Sequence, residues 1–233
     1  MSRSFDGTDD FITVSTGFDS GTTHSASLWF ARSSSSSDMT LIAGSDAFRY
    51  TSRLSTDGKI YYNNGGIVNS SYGTLSLNVF YNIAFTRTSR IVTFYKNAIL
   101  LGSGNLGDDS TMNISLIGKE AIGNPFAGVL SHVHFYNRTL SQGEVLQIMN
   151  YPASITSGLK FYYPLFGINS PELDFSGNKN NGTVSGALFS SSNPPISSIF
   201  VIPKPRSEYA SISAPSVDTG ASNDLTSFTF SWG

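Results

Sequence analysis

Hydrophobic and polar residues alternate with a period of two through most of the first 136 positions, which predicts short β-strands. Phe11-Ile12-Thr13-Val14, Ser27-Leu28-Trp29-Phe30 and Phe48-Arg49-Tyr50-Thr51 each read as a strand with one apolar face. Asp57-Gly58 lies between Arg53-Leu54-Ser55 and Lys59-Ile60-Tyr61, a two-residue hairpin signal that needs positive φ. Ile83 to Arg87 and Ile91 to Tyr95 flank a short turn and predict a second hairpin. Ile99-Leu100-Leu101, Ile114 to Ile117 and Val129 to Tyr136 follow, the last with Leu130 breaking its alternation. Turn signals recur about every ten residues, as in sandwiches and barrels.

One helix interrupts the strands. Ser141 is a suitable N-cap, Glu144 completes a capping box, and Val145, Leu146, Ile148 and Met149 supply an apolar face that ends near Asn150. Gly158 to Leu165 and Thr183 to Phe189 read as strands, separated by a loop over 166–182. Residues 190–206 are rich in Ser and Pro and read as an extended linker, because proline cannot donate to a sheet ladder.

Composition narrows the function classes. Only 13% of the 233 residues are charged and the net charge is −2, so no basic field is available for phosphates and nucleic-acid binding is disfavoured. Cysteine is absent, which removes disulfides, thiolate metal sites and cysteine nucleophiles together. The N-terminus has no apolar leader region, and no run approaches the roughly 18 apolar residues of a membrane span, so neither secretion by a leader nor membrane insertion is expected.

Phe5-Asp6-Gly7-Thr8-Asp9-Asp10-Phe11-Ile12-Thr13-Val14 resembles the opening of laminin-G-like jelly-roll domains of the concanavalin A-like class. Further similarities follow in family order: Ser27 to Phe30, Asp57 to Tyr61, Tyr81 to Arg87, Val92 to Asn97, and Phe126 to Ser141 running into the helix. The resemblance covers residues 4–150 and implies an all-β, two-sheet antiparallel jelly-roll sandwich, of a kind also found in bacteriophage structural proteins. Two departures stand out. Asn97-Ala98 replaces the common Asn-Gly turn, and His132 and His134 occupy a strand where charged residues are usual. Residues 151–189 are expected to complete or pack on the sandwich. Residues 207–233 resemble a truncated second repeat: Glu208 to Ile212 parallels Asp10 to Val14, and Phe230-Ser231-Trp232 parallels Ser27-Leu28-Trp29. Tyr209, Ile212, Phe228, Phe230 and Trp232 are the apolar candidates for an assembly arm, docking by strand addition or packing locally.

Catalytic chemistry finds little support. There are four Glu, no Glu-x-Asp-x-x-Glu strand motif and no Gly-x-Ser-x-Gly elbow, so neither a glycosidase nor a serine hydrolase is expected. His132-x-His134 places two imidazoles on one strand face, read as a solvent-facing pair in preference to a metal site. For calcium, Asp174-x-Ser176-x-Asn178-x-Asn180 and the pair Asp108-Asp109 offer oxygen ligands, with an ordinary Asn/Gly turn as the favoured reading of the first. For sugars, Tyr61-Tyr62-Asn63-Asn64-Gly65-Gly66 offers an aromatic beside amides. One of the two tyrosines must face the core; Tyr62 and Asn64 are the ligand candidates, with an ordinary hairpin edge and its turn residues as the favoured reading. The resulting expectation is a non-enzymatic particle component located in a virion, partnering copies of itself or other particle proteins through residues 190–233. Carbohydrate binding, to cell-surface glycans and with calcium as the one candidate cofactor, is the alternative.

Overall fold

The computed structural model describes residues 2–196, which fall within one compact unit; the assembly candidates Tyr209, Ile212, Phe228, Phe230 and Trp232 lie outside them. The chain forms, in order, β1 (Ser2–Asp6), β2 (Phe11–Asp19), β3 (Thr23–Arg32), β4 (Met39–Gly44), β5 (Tyr50–Leu54), β6 (Lys59–Asn63), β7 (Ile67–Ser71) and β8 (Tyr81–Thr88). Then come β9 (Ile91–Lys96), β10 (Ile99–Asn105), β11 (Asn113–Ile117), β12 (Ala127–Tyr136), the helix α1 (Gln142–Asn150), β13 (Leu159–Tyr163), β14 (Gly182–Ser185) and β15 (Leu188–Ser190). Every pairing between these strands is antiparallel.

Sheet A has the order β10-β9-β8-β3-β12-β1-β15, and β13 also pairs with β12; sheet B has the order β14-β2-β11-β4-β5-β6-β7. This is the expected jelly-roll sandwich. Phe5, Ile12, Leu28, Phe30, Ile60 and Phe94 from both sheets meet in the main core. A second cluster lies on the other side of sheet A, where Tyr95, Tyr136 and Tyr162 pack under Val145 and Ile148 of α1. Burying two aliphatic side chains of this size contributes about 3–6 kcal/mol before ordering costs, so the helix is fixed mainly by this contact.

The capping box forms as the sequence predicts. Ser141 Oγ accepts from Glu144 N at 3.2 Å, and Glu144 Oε2 accepts from Ser141 N at 2.8 Å. Arg138 donates to both oxygens of Glu144, at 2.7 and 3.1 Å, and this guanidinium holds the carboxyl down at about 2. Leu146 departs from the expected apolar face: only Val145 and Ile148 are buried, and Leu146 is exposed. With 3.6 residues per turn, the covered stripe of a nine-residue helix is too narrow for four adjacent apolar positions.

Several local details differ from expectation. Phe48 is not in a strand but in the β4–β5 turn, with φ 59° and an exposed ring. The β5–β6 hairpin turns over Ser55 to Gly58, with Gly58 N donating to Ser55 O and Gly58 alone of these at positive φ, so it is longer than a two-residue turn. At Asn97-Ala98 the turn survives without glycine. Both residues take positive φ (51° and 61°), at a cost of about 1–2 kcal/mol for the alanine, while Gln142 of α1 donates to Ala98 O at 2.9 Å.

Residues 159–190 extend both sheets. β13 joins β12, β14 joins β2, and β15 joins β1. The join is held by Arg3, buried on β1, whose Nε donates to Glu172 Oε2 at 2.6 Å, Nη1 to Ala187 O at 3.0 Å and Nη2 to Asn169 O at 2.6 Å. Both charged side chains are about 2% exposed. A pair so deep is stable only while both members remain, because either alone is an uncompensated buried charge. Arg3→Met and Glu172→Met are therefore each expected to lower unfolding free energy by about 3–5 kcal/mol, measured by urea denaturation. The double variant Arg3→Met/Glu172→Met should recover most of that loss, and additive single losses would refute the pairing.

Candidate functional site

Sheet A buries its outer face under α1 and the segment after it. Among the described residues, no helix or further strand packs over the outer face of sheet B. The turn after β11, which carries the buried Glu120, lies over its β4–β5 part, and the strand register decides what the face presents. Leu54 and Ile60 are a cross-strand pair pointing into the core. Side chains alternate along strands, so their neighbours Arg53 and Tyr61, also a pair, point outward. Thr40 stands opposite Arg53 on β4, and Asn69 stands opposite Tyr61 on β7. Tyr50 pairs with Asn63, next along β5 and β6. A register shift in β5 keeps it on the same side as Arg53.

The centre of this face is Arg53. Its guanidinium carbon lies 4.3 Å from the Tyr50 ring centroid and 5.6 Å from that of Tyr61. Arg53 Nε is 3.7 Å from Asp38 Oδ2, and Nη1 is 3.7 Å from Glu120 Oε1, both longer than a hydrogen bond. Glu120 is fully buried, brought there by the turn after β11, in which it pairs with Gly123 and accepts from the Asn124 amide. Glu120 Oε2, Arg53 Nε and Thr40 Oγ1 are buried without a hydrogen bond among the described residues. The Tyr61 ring is half-buried, and its hydroxyl donates to Asp57 Oδ2 at 2.6 Å. That bond raises the Tyr61 hydroxyl to about 12 and lowers the Asp57 carboxyl. Tyr50 is buried behind Arg53, and burial pushes its hydroxyl up. The face thus offers an aromatic ring held in place, a guanidinium crossing it, the partly exposed Asp38, and the amides of Asn63 and Asn69.

The expected sugar candidates sit elsewhere. Tyr62 is the core-facing member of the tyrosine pair: its ring is fully buried, and its hydroxyl lies 3.0 Å from His24 Nε2 and accepts from Arg87 Nη1 at 3.2 Å. Asn64 is also fully buried, donating to Ser110 O at 2.7 Å and accepting from Arg49. Neither presents a group to solvent. Alternation alone states that one tyrosine faces inward; only the pairing of β6 with β5 and β7 states which.

The calcium candidates are occupied by their own loops. Asp174 accepts from the backbone amides of Tyr162, Ser176 and Asn180 and from Ser176 Oγ, and Asn178 donates to Leu159 O and Lys160 O. The carboxylate closes a turn. Asp108 accepts from Ser110 N, and Asp109 is paired with Arg90 Nε at 2.9 Å. Among the described residues, the group whose carboxylates do converge is Asp6, Asp9 and Asp10 in the β1–β2 turn, with oxygens within 4.8 Å of one another. Two of the three already serve the turn, Asp10 accepting from Asp6 N and Asp6 from Thr8 N. The turn at Gly7 (φ 82°) folds Asp6 back beside Asp9 and Asp10.

His132 and His134 are not a solvent-facing pair. Both are buried, and His134 stacks on Tyr162 with ring centroids 4.3 Å apart. His134 Nε2 lies 2.8 Å from Pro152 O, and His132 Nδ1 lies 2.7 Å from the Tyr162 hydroxyl. The polar side of β12 faces the α1 layer, not water. His132 also sits at φ 50°, in a bulge where β12 leaves its register with β3.

Residues 6–146 match the family model of the concanavalin A-like lectin/glucanases superfamily. The chain belongs to this superfamily. No protein of curated function matches it in sequence. Among solved structures it is similar to an inferred carbohydrate binding protein from Bacteroides ovatus, with TM-score 0.69 and 18% identity, over 84% of this chain and 61% of the other. It is also similar to the heptameric SAP-like pentraxin of Limulus polyphemus, with TM-score 0.52 and 14% identity over 63% and 80%. Domain 4 of an extracellular arabinanase from Geobacillus stearothermophilus, solved with arabinotriose, gives TM-score 0.50 and 15% identity over 63% and 75%. The chain thus spans about three-fifths of the Bacteroides protein, and at these identities the likeness is one of fold.

This member of the superfamily buries all three histidines. Burial lowers His24 and His132 to about 3 and His134 to about 4. A folded value below the unfolded one means that the neutral form stabilises the fold above pH 6.5, and that this contribution is lost as pH falls from 6.5 toward 4. Lowering pH from 7.5 to 5 should cost about 2 kcal/mol for a single such histidine. The urea midpoint should fall accordingly, and less steeply in His134→Gln. Tyr62→Ala should destabilise the fold by about 3–5 kcal/mol, in the same assay, in keeping with a core position.

Proposed function

We propose that the outer face of sheet B binds carbohydrate without catalysing its conversion. The observation that carries this is the half-exposed Tyr61 ring, fixed by Asp57, crossed by Arg53 and flanked by Asp38, Asn63 and Asn69 on the outer face of sheet B. Sugars expose an apolar C–H face edged by hydroxyls, and an aromatic ring beside planar polar side chains is complementary to both. Superfamily membership supports the reading, as does likeness in fold to an inferred carbohydrate binding protein and to a domain solved with arabinotriose. Catalysis would need two carboxylates free to face a glycosidic bond. Of the two near Arg53, Glu120 is wholly buried. Assembly through residues 207–233 and placement in a virion draw no support from the described residues.

Tyr61 is suited to the test because removing its ring leaves the buried core intact. In calorimetric titration with a glycan selected from an array, Tyr61→Ala should weaken binding about tenfold or more, corresponding to about 1.4 kcal/mol. Tyr61→Phe, which keeps the ring, should stay within a few-fold of the parent chain. Unchanged melting temperatures would localise the effect to binding. Equal affinity of Tyr61→Ala and the parent for every glycan would reject this face.

A further inference from the structure

We infer that the saccharide taken by this face is neutral, held through adjacent hydroxyl groups, and does not carry a carboxylate or sulfate at the bound unit. The inference rests on the carbohydrate reading of the sheet B face and narrows it. A lone arginine between two tyrosines would by itself favour an anionic sugar, since guanidinium pairs well with carboxylate and sulfate. Arg53 is not alone. Asp38 and Glu120 each stand 3.7 Å from it, one on each side. The other cation beside Tyr61, Lys59, is matched with Asp57 at 3.8 Å. Asp38, Glu120 and Asp57 against Arg53 and Lys59 leave this patch one negative charge in excess. The Lys119 ammonium is directed to the Phe11 ring on β2, 3.6 Å from the centroid.

An arriving carboxylate would gain one guanidinium and meet two carboxylates already at its sides. Glu120 is fully buried, so solvent screens its charge poorly. An arriving ammonium would meet Arg53. A hydroxyl fits both neighbours, because it donates and accepts at once. One sugar hydroxyl can accept from an outer nitrogen of Arg53 while its neighbour donates to Asp38 Oδ2. The other oxygen, Asp38 Oδ1, already accepts from Ser55 Oγ at 2.8 Å and Thr56 N at 2.9 Å, which fixes the carboxylate and leaves Oδ2 for the ligand. The amides of Asn63 and Asn69 are likewise neutral groups that both donate and accept.

The test measures binding of the full chain to arrayed neutral, uronic-acid, sialylated and sulfated glycans, followed by titration of the best binder at 50 and 500 mM NaCl. The expected result is binding to neutral glycans, changed by less than about twofold across that salt range, and weakened by both Tyr61→Ala and Asp38→Asn. Binding confined to acidic glycans, lost steeply with salt and strengthened by Asp38→Asn, would overturn the neutral class while leaving the carbohydrate reading standing. Neutral binding indifferent to both variants would place the ligand away from this face and overturn the inference. No binding to any glycan would overturn the carbohydrate reading and the inference together.

Discussion

A buried arginine with a single carboxylate partner ties the first strand, β1, to the segment between β13 and β15. Arg3 lies on a strand of only five residues, and its partner Glu172 is 169 positions away. Around that pair the loop over 166–182 is fixed, β15 is set beside β1, and Asn169 and Ala187 give up carbonyls to the same guanidinium. Ion pairs at this depth gain little net energy but tolerate no substitute geometry. Two positions along the same strand, Phe5 meets Phe126 in the main core.

The two sheets then divide the work. Sheet A carries apolar side chains on both faces, so it must be covered on both, and α1 with its capping box supplies the second cover. Sheet B needs only one cover, and its other face is free to carry polar and aromatic groups. The half-exposed Tyr61 and exposed Asn69 alternate with the buried Ile60, Tyr62 and Val68 in the two strands farthest from β2. The charged groups of this face stand beside opposite charges, Arg53 beside Asp38 and Glu120, and Lys59 beside Asp57.

Much of the fold was legible because its signals are local. The capping box of α1, the hairpin between β8 and β9, and the alternation of β2 and β3 need only a few neighbouring residues. What was not legible depended on partners far along the chain. β1 was read as a domain opening and not as a strand held between β12 and β15. The phase of Tyr61 against Tyr62 required the neighbouring strands, and the burial of His132 and His134 required the helix that follows them. Arg53 was read only as part of a hairpin. Its importance lies in Glu120, which comes from a turn 67 residues later and has no pattern of its own.

The position of β1 also sets an order in time. Its neighbours in sheet A are β12 and β15, the first of which begins at Ala127 and the second at Leu188. During synthesis β1 emerges before either of these neighbours, and contacts of such separation form slowly. Until residue 172 has emerged, Arg3 has no carboxylate to meet, and the edge it belongs to stays open to wrong partners. β1 can complete its place in sheet A only after residues 188–190 have emerged.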